Sequence, residues 1–454
     1  MLERQLEVSC DPLSAFAKVS DFEGVVLLHS GLQAYGLGRY SILAALPQKR
    51  IRCRRDFAWV QVGTSETRID GNPFEVCRRM LEGLEIERMG AGSLPFYGGL
   101  IGYFAYDSGR ALEPDSLGRG SDEMDLARFH LYRGALVFDH RERRVWMTCL
   151  DDRPDDDLLR IAHRVCGSGA PSLEAFEATS SLSSNFEKGD FCGAVDRVRE
   201  LILEGEVYQV NLSQRFEATC AGSSADLFLR LAVASPAPYG AYLDFGDEQI
   251  VSSSPERFLH VEDGVAQTRP IKGTRPRGDC EEETLAYERD LSCSEKDRSE
   301  LLMIVDLERN DLGRVCRPGS VRVERLFSIE RYATVLHQTA DVVGELEPGL
   351  GVMDCVRAMF PGGSITGAPK IRSMQVIEDL ERGERGVYTG SIGYLAASGN
   401  ADLNIAIRTI RVSEGRLSFQ VGGGIVWDSD PESEYEETLL KAKAMIKAIG
   451  GEHA

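Results

Sequence analysis

The chain contains no Cys-x-x-Cys pair, although eleven cysteines are scattered from Cys10 to Cys355. An odd count and wide spacing in a chain of 454 residues argue against a disulfide framework or a structural zinc site. Reduced thiols, and with them a cytoplasmic location, are expected. No two of the seven histidines stand four residues apart, so a bound metal would have to be held by carboxylates. Apolar runs of bilayer length are missing. The opening stretch MLERQLEVSCDPLSAF carries charge at residues 3 and 4 and reads as neither signal peptide nor membrane anchor. Positive charge is scarce too. With 52 Lys and Arg against 72 Asp and Glu, the formal net charge is −20, which argues against a nucleic-acid or anionic-membrane partner. Repeats and low-complexity tracts are absent, and 43% hydrophobic with 27% charged residues is the composition of a folded globular protein.

What is there divides into three stretches. Residues 1–166 read as mixed strands and helices, with apolar runs such as GVVLLHSG (24–31) and GALVFD (134–139) bounded by glycine or charge. Residues 167–185, GSGAPSLEAFEATSSLSSN, are rich in small and polar residues and read as a linker. The remainder, 186–454, opens on a helix that Asn185 can cap, with Phe191, Ala194, Val195, Val198, Leu201 and Ile202 on one face and Gly205 at its end. A C-terminal helix starts at Asp430-Pro431 and places Glu434, Glu437 and Lys441 on one face. A further helix within 294–315 puts Asp297 and Glu300 ahead of a strongly apolar run. Each acidic face taken alone is an ordinary solvated one. Two of them in one chain match what magnesium takes: one or two carboxylates, with positions left for water and an anionic substrate.

The stretch FPGGSITGAPKI (360–371) fails as a phosphate loop, because Ala368 stands where the loop lysine belongs and Pro369 precedes Lys370. Its glycines, with Ser364 and Thr366, could still present N–H groups and hydroxyls to a carboxylate. Gly422, Gly423 and Gly424 offer a similar concavity or simply a tight turn. NIAIRTI (404–410) reads as a buried strand in which Arg408 requires a carboxylate partner, from protein or ligand. His337 among apolar neighbours reads, by itself, as a hydrogen-bonded core histidine. The segment QTRPIKGTRPRG sets Lys272 among Arg269, Arg275 and Arg277. Such crowding, with burial, favours the neutral and nucleophilic form of an amine.

PIKGTRPRG, IVDLERNDLGRV, FPGGSITGAPKIRSM, YTGSIGYL and GGGIVWDSDPESEYEETLLKA, together with LLHSG, GRYSILAA and FYGGLIGYFAYDSGR, resemble the chorismate-utilising enzymes over nearly the whole chain. The likeness is strongest to the group that makes 4-amino-4-deoxychorismate for 4-aminobenzoate and folate. Anthranilate synthases, the alternative, usually carry alanine at the position of Lys272. The resemblance implies an α+β fold with an antiparallel β-sandwich core flanked by helices. It also implies that Lys272 attacks C2 of chorismate, that Glu256 protonates the departing C4 hydroxyl, and that His337 contacts the ring or that hydroxyl. Gln209 takes the place of the lysine base that isochorismate and salicylate synthases use to activate water, and glutamine cannot remove a proton. Arg408, Tyr388 and the amides at Gly423 and Gly424, with Thr366 and Lys441 nearby, would hold the enolpyruvyl carboxylate. Glu300 and Glu437 would hold magnesium, assisted by Glu434 and Asp297. Nothing here resembles a glutaminase, so a separate glutamine amidotransferase is the implied ammonia source. The N-terminal region resembles the part in which anthranilate synthases bind tryptophan, a possible further ligand.

Overall fold

The structure, a computed structural model, describes residues 1–8, 10–84, 92–118, 120–332 and 335–450. Among them, two antiparallel sheets of 13 and 12 strands face one another. Alternation along the strands fills the space between: Val26, Ile42, Val137, Leu243 and Ile250 of the larger sheet meet Ile101, Tyr103, Ile392 and Tyr394 of the smaller in one buried cluster. The outer face of the larger sheet is covered by the helices Pro12–Val19, Asp156–Cys166, Ser224–Ala234 and Pro431–Ala448 through Phe16, Leu158, Leu231 and Met445. The outer face of the smaller carries Pro73–Glu82, Glu295–Gly313 and Val352–Met359, where Phe74 stacks on Phe104 at 5.0 Å between ring centroids. This is the expected α+β sandwich.

Strands from both ends of the chain alternate within each sheet. Tyr239–Asp244 pairs with Val26–His29, and Ser391–Ala396 with Gly99–Phe104. The stretch 167–185 contributes two short strands, Glu177–Ala178 and Ser183–Ser184, to the edge of Gln209–Ala221. Among the described residues no helix is long and apolar enough to cross a membrane, and the eleven cysteines are unpaired.

The C-terminal helix starts where expected, with Asp430 accepting the Ser433 N–H at 2.9 Å ahead of Pro431–Ala448. The helix expected within 294–315 runs Glu295–Gly313 and is capped by Ser294, which accepts the Asp297 N–H at 3.2 Å. Three expectations are corrected. Asn185 is not a cap, because the helix runs Lys188–Leu203 and the Asn185 side chain accepts the Arg215 N–H at 2.7 Å instead. The segment 404–410 is not one strand: Ala401–Asn404 belongs to the smaller sheet and Thr409–Ser413 to the larger, so 405–408 is the passage between them. Gly422–Gly424 form no turn but lie inside the strand Arg416–Ile425, where close neighbours rather than backbone curvature require glycine at 422 and 424.

Candidate active site

The site is built where the chain passes from one sheet to the other. Glu248–Ser254 lies in the larger sheet and Arg257–Glu262 in the smaller, which leaves Glu256 in one passage, while Arg408 ends the other. The passages are stitched together by Ile405 N–H donating to Glu256 O at 3.0 Å and by Ser254 Oγ donating to Ile405 O at 2.6 Å. Glu256 is 6% exposed, and its Oε1 has no hydrogen-bond partner among the described residues. Burial pushes its carboxyl above the ordinary carboxylate range, against the opposing pull of the Ser364 side chain and the Lys272 ammonium. Arg408 adopts φ 51°, a left-handed conformation that is uncommon outside glycine. It is half-buried without a carboxylate partner among the described residues, and desolvation lowers its pKa. A cation so placed is free to take up an external anion. Next to it His337 takes a hydrogen bond between Nδ1 and Thr274 Oγ1 at 2.9 Å. Burial and then the Arg408 charge push its pKa down to about 3, so the imidazole is neutral at working pH.

Lys272, on the strand Ile271–Pro276, donates from Nζ to Ser364 O at 3.2 Å. The three arginines do not crowd it. Arg269 pairs with Glu330 and with Asp341 (3.5 Å), Arg275 pairs with Asp290 (2.5 Å) and Asp297 (3.0 Å), and Arg277 donates to Tyr332 O at 3.0 Å. Four carboxylates absorb the positive charge that sequence proximity suggested would act on the amine. The Lys272 ammonium in turn pulls down the carboxyls of Glu256, Glu300 and Glu437.

Opposite the amine lie the acidic faces of the two helices. Glu300 is half-buried, and burial raises its pKa against the Lys272 and Lys296 charges. Glu434 is buried, accepts from Ser429 Oγ at 2.6 Å, and is likewise raised by burial, with Lys296 at 3.9 Å. Burial also acts to raise Glu437, but the Lys441 ammonium at 2.7 Å together with Lys296 and Lys272 outweighs it and the net shift is downward. Lys441 in turn donates to Gly422 O at 2.8 Å. Asp297 is turned toward Arg275. Among the described residues no three of His, Cys, Asp and Glu close into a metal cage. The donor set is nevertheless one that suits magnesium. Glu300, Glu434 and Glu437 bring like charges together at one place, each interacting unfavourably with another, and a hard cation keeping part of its water shell needs no more than two of them.

The floor is the strand pair Gln209–Ala221 and Arg416–Ile425, in which Asn211 faces Gly424 and Leu212 faces Gly423. A Cβ on Gly424 would stand 2.6 Å from Gln209 Nε2, and one on Gly423 would stand 3.3 Å from Glu434 Oε2 and 3.6 Å from Lys441 Nζ. Glycine therefore leaves bare backbone between the amide of Gln209 and the carboxylate cluster. Tyr388 is buried, and burial pushes its phenol up to about 12 against the opposing pull of the Arg385 guanidinium. The Thr366 hydroxyl turns inward, donating to Gly362 O at 2.9 Å, so it shapes the loop rather than facing the cleft. Beneath this floor Arg385 and Glu381 form a buried ion pair at 2.7 Å; Arg385 also donates to Asn211 O at 2.6 Å and Ile365 O at 3.0 Å, and Glu381 accepts from Ser213.

The structure thus gathers Lys272, Glu256, His337, Arg408, Tyr388, Gln209, Gly423, Gly424, Glu300, Glu434, Glu437 and Lys441 around one cleft. Thr366 and Asp297 stand beside it with their polar atoms engaged elsewhere. Sequence reasoning did not reach Asn211 or the Glu381–Arg385 pair. For Asn211 the signal was available, since it is two residues from Gln209 in a strand and so shares its face.

The chorismate binding enzyme family pattern matches residues 42–447. The chain is 40% identical over 436 residues to aminodeoxychorismate synthase component 1 of Salmonella typhimurium, covering 96% of this chain and 95% of that protein. It is 38% identical over 458 residues to anthranilate synthase component 1 of Aquifex aeolicus, covering 96% and 92%. The solved structure of anthranilate synthase component I from Streptococcus pneumoniae matches with a TM-score of 0.79 at 34% identity, over 91% of this chain and 93% of that one.

Proposed function

The chain belongs to the chorismate binding enzyme family, and from that premise we propose that it aminates chorismate at C4, giving 4-amino-4-deoxychorismate. Lys272 Nζ passes its proton to the Glu256 carboxylate and bonds to C2; the ring double bond shifts, the C4–O bond breaks, and Glu256 gives that proton to the leaving hydroxyl, which departs as water. Ammonia then bonds to C4, the double bonds shift back, and the C2–Nζ bond breaks to release the product. The proton lost by the incoming ammonia returns Lys272 to its starting state. Arg408 and Tyr388 orient the enolpyruvyl carboxylate, and neutral His337 offers its Nε2 side to the ring. Gln209 occupies the floor without a basic nitrogen, which disfavours water attack. Magnesium held by Glu300 and Glu437, with Glu434 adjacent, would neutralise the ring carboxylate when bound. Ammonia comes from a glutamine amidotransferase partner, in keeping with the "component 1" of the relatives' names.

The observation that carries this reading is the placement of the Lys272 amine, bonded to Ser364 O, in the same cleft as the half-satisfied carboxyl of Glu256. The test is intact-mass analysis after mixing protein, magnesium and chorismate without ammonia. An adduct that maps to the Lys272 peptide and is absent from Lys272→Ala is expected. Full amination by that variant, or anthranilate fluorescence from the wild type with ammonia and no added lyase, refutes it. The second outcome would move the protein to the anthranilate branch.

A further inference from the structure

Two side chains on one face of Gln209–Ala221 carry amide groups with nothing to bond. Gln209 is 0% exposed and neither its Nε2 nor its Oε1 has a partner among the described residues; Asn211 is 6% exposed and its Nδ2 has none. A buried polar group left in that state costs about 1–3 kcal/mol, and a folded chain rarely keeps three such atoms side by side unless something else binds them. The backbone of Asn211 is fully engaged. Its N–H donates to Thr366 O at 2.8 Å and its carbonyl accepts from Arg385 at 2.6 Å. The side-chain Nδ2 is free, and Asn211 lies across from Gly424, where a Cβ would have filled the slot against Gln209.

We propose that Asn211 is a substrate-binding and specificity-determining residue whose Nδ2–H donates to an oxygen of the anionic substrate, on the side of the ring where Tyr388 and Arg408 lie. The inference rests on the chorismate reading above and adds a recognition element to it. Amide chemistry suits the place. A carboxylate there would repel a dianion, an apolar side chain would offer no donor, and a base would open the route to water attack that Gln209 closes. Because Thr366 and Arg385 hold the Asn211 backbone on both sides, the donor is in place before substrate arrives, so its contribution appears in binding.

Asn211→Ala and Asn211→Asp test this. Asp keeps the shape but replaces the donor with a negative oxygen, so it remains informative if the alanine variant does not fold. The expected result is a KM for chorismate raised about tenfold or more in Asn211→Ala, as for loss of a hydrogen bond to a charged group. Asn211→Asp should rise further, and kcat should fall by a smaller factor in both. A KM within twofold of wild type in the folded variants, or a loss confined to kcat, overturns the proposal while leaving the chorismate reading intact. Failure of the wild type to bind chorismate at all overturns both.

Discussion

Alanine substitutions at three adjacent glycines should have three different effects. Gly422→Ala brings a Cβ to 2.3 Å from Leu212 O, a backbone atom of the paired strand. Neither strand can yield without breaking the ladder, so the change should cost about 3 kcal/mol of stability. Gly424→Ala brings a Cβ to 2.6 Å from Gln209 Nε2, the far end of a side chain. Rotating that amide off its rotamer costs only about 1 kcal/mol, but the group is driven into the cleft, and catalytic efficiency with chorismate should fall about tenfold or more. Gly423→Ala meets nothing closer than 3.3 Å and should stay within about 0.5 kcal/mol of wild type in stability. Unfolding entropy near 2.1 cal/mol/K per residue, over 454 residues, makes about 1 kcal/mol equivalent to about 1 °C in Tm. Urea unfolding is therefore the better measure, paired with steady-state rates. Full activity in Gly424→Ala, or equal stability losses in Gly422→Ala and Gly424→Ala, would refute the assignment of these glycines to different neighbours.

Glu256 and the buried Glu308 beside it, which accepts from Thr268 Oγ1 at 3.1 Å, are both held above the ordinary value of 4.5. A raised carboxyl contributes stability below its unfolded pKa that is lost as pH rises through the folded value. Glu256→Gln should therefore gain stability relative to wild type progressively above pH 4.5, and a pH-independent difference in urea unfolding would count against the burial argument. In the wild type kcat should fall on the alkaline side as the proton that Lys272 passes to Glu256 is lost, whereas His337, near 3, should add no limb to the profile from pH 5 upward. Arg385→Met strands the Glu381 carboxylate and should cost about 3–5 kcal/mol. The double variant with Glu381→Gln should lose less than the two singles together, and strict additivity in urea would deny the pair. Chelation should abolish turnover, magnesium should restore it, and Glu300→Gln should raise the magnesium concentration needed for half-maximal rate; insensitivity of the rate to chelator would remove the ion from the reaction.

The parts of this site that the sequence discloses are those fixed by short-range rules. Asp430-Pro431 announces a helix start, and the 3.6-residue period brings Glu434, Glu437 and Lys441, and in the other helix Asp297 and Glu300, onto common faces. What it conceals depends on partners far along the chain. Arg269 and Arg275 looked like a field acting on Lys272 until Glu330, Asp341, Asp290 and Asp297 were found to pair with them. The passage at 405–408 looked like strand because its apolar residues are buried from both sheets, and hydrophobicity alone does not show where a chain changes layers. Arg385 shares a helix-like spacing with Glu381, yet its importance lies in bonds to Asn211 and Ile365 that no local pattern encodes.

Strands of the first third of the chain are laced through both sheets, as in Leu27 beside Tyr242 and Gly102 beside Gly393. A protease nick in the exposed stretch 167–170 would cut the covalent thread yet leave the two pieces clasped, since every such ladder spans the cut. Neither piece made alone would have a finished hydrophobic interior. The molecule is a weave and not beads on a string, so its two halves can be inherited or exchanged only together.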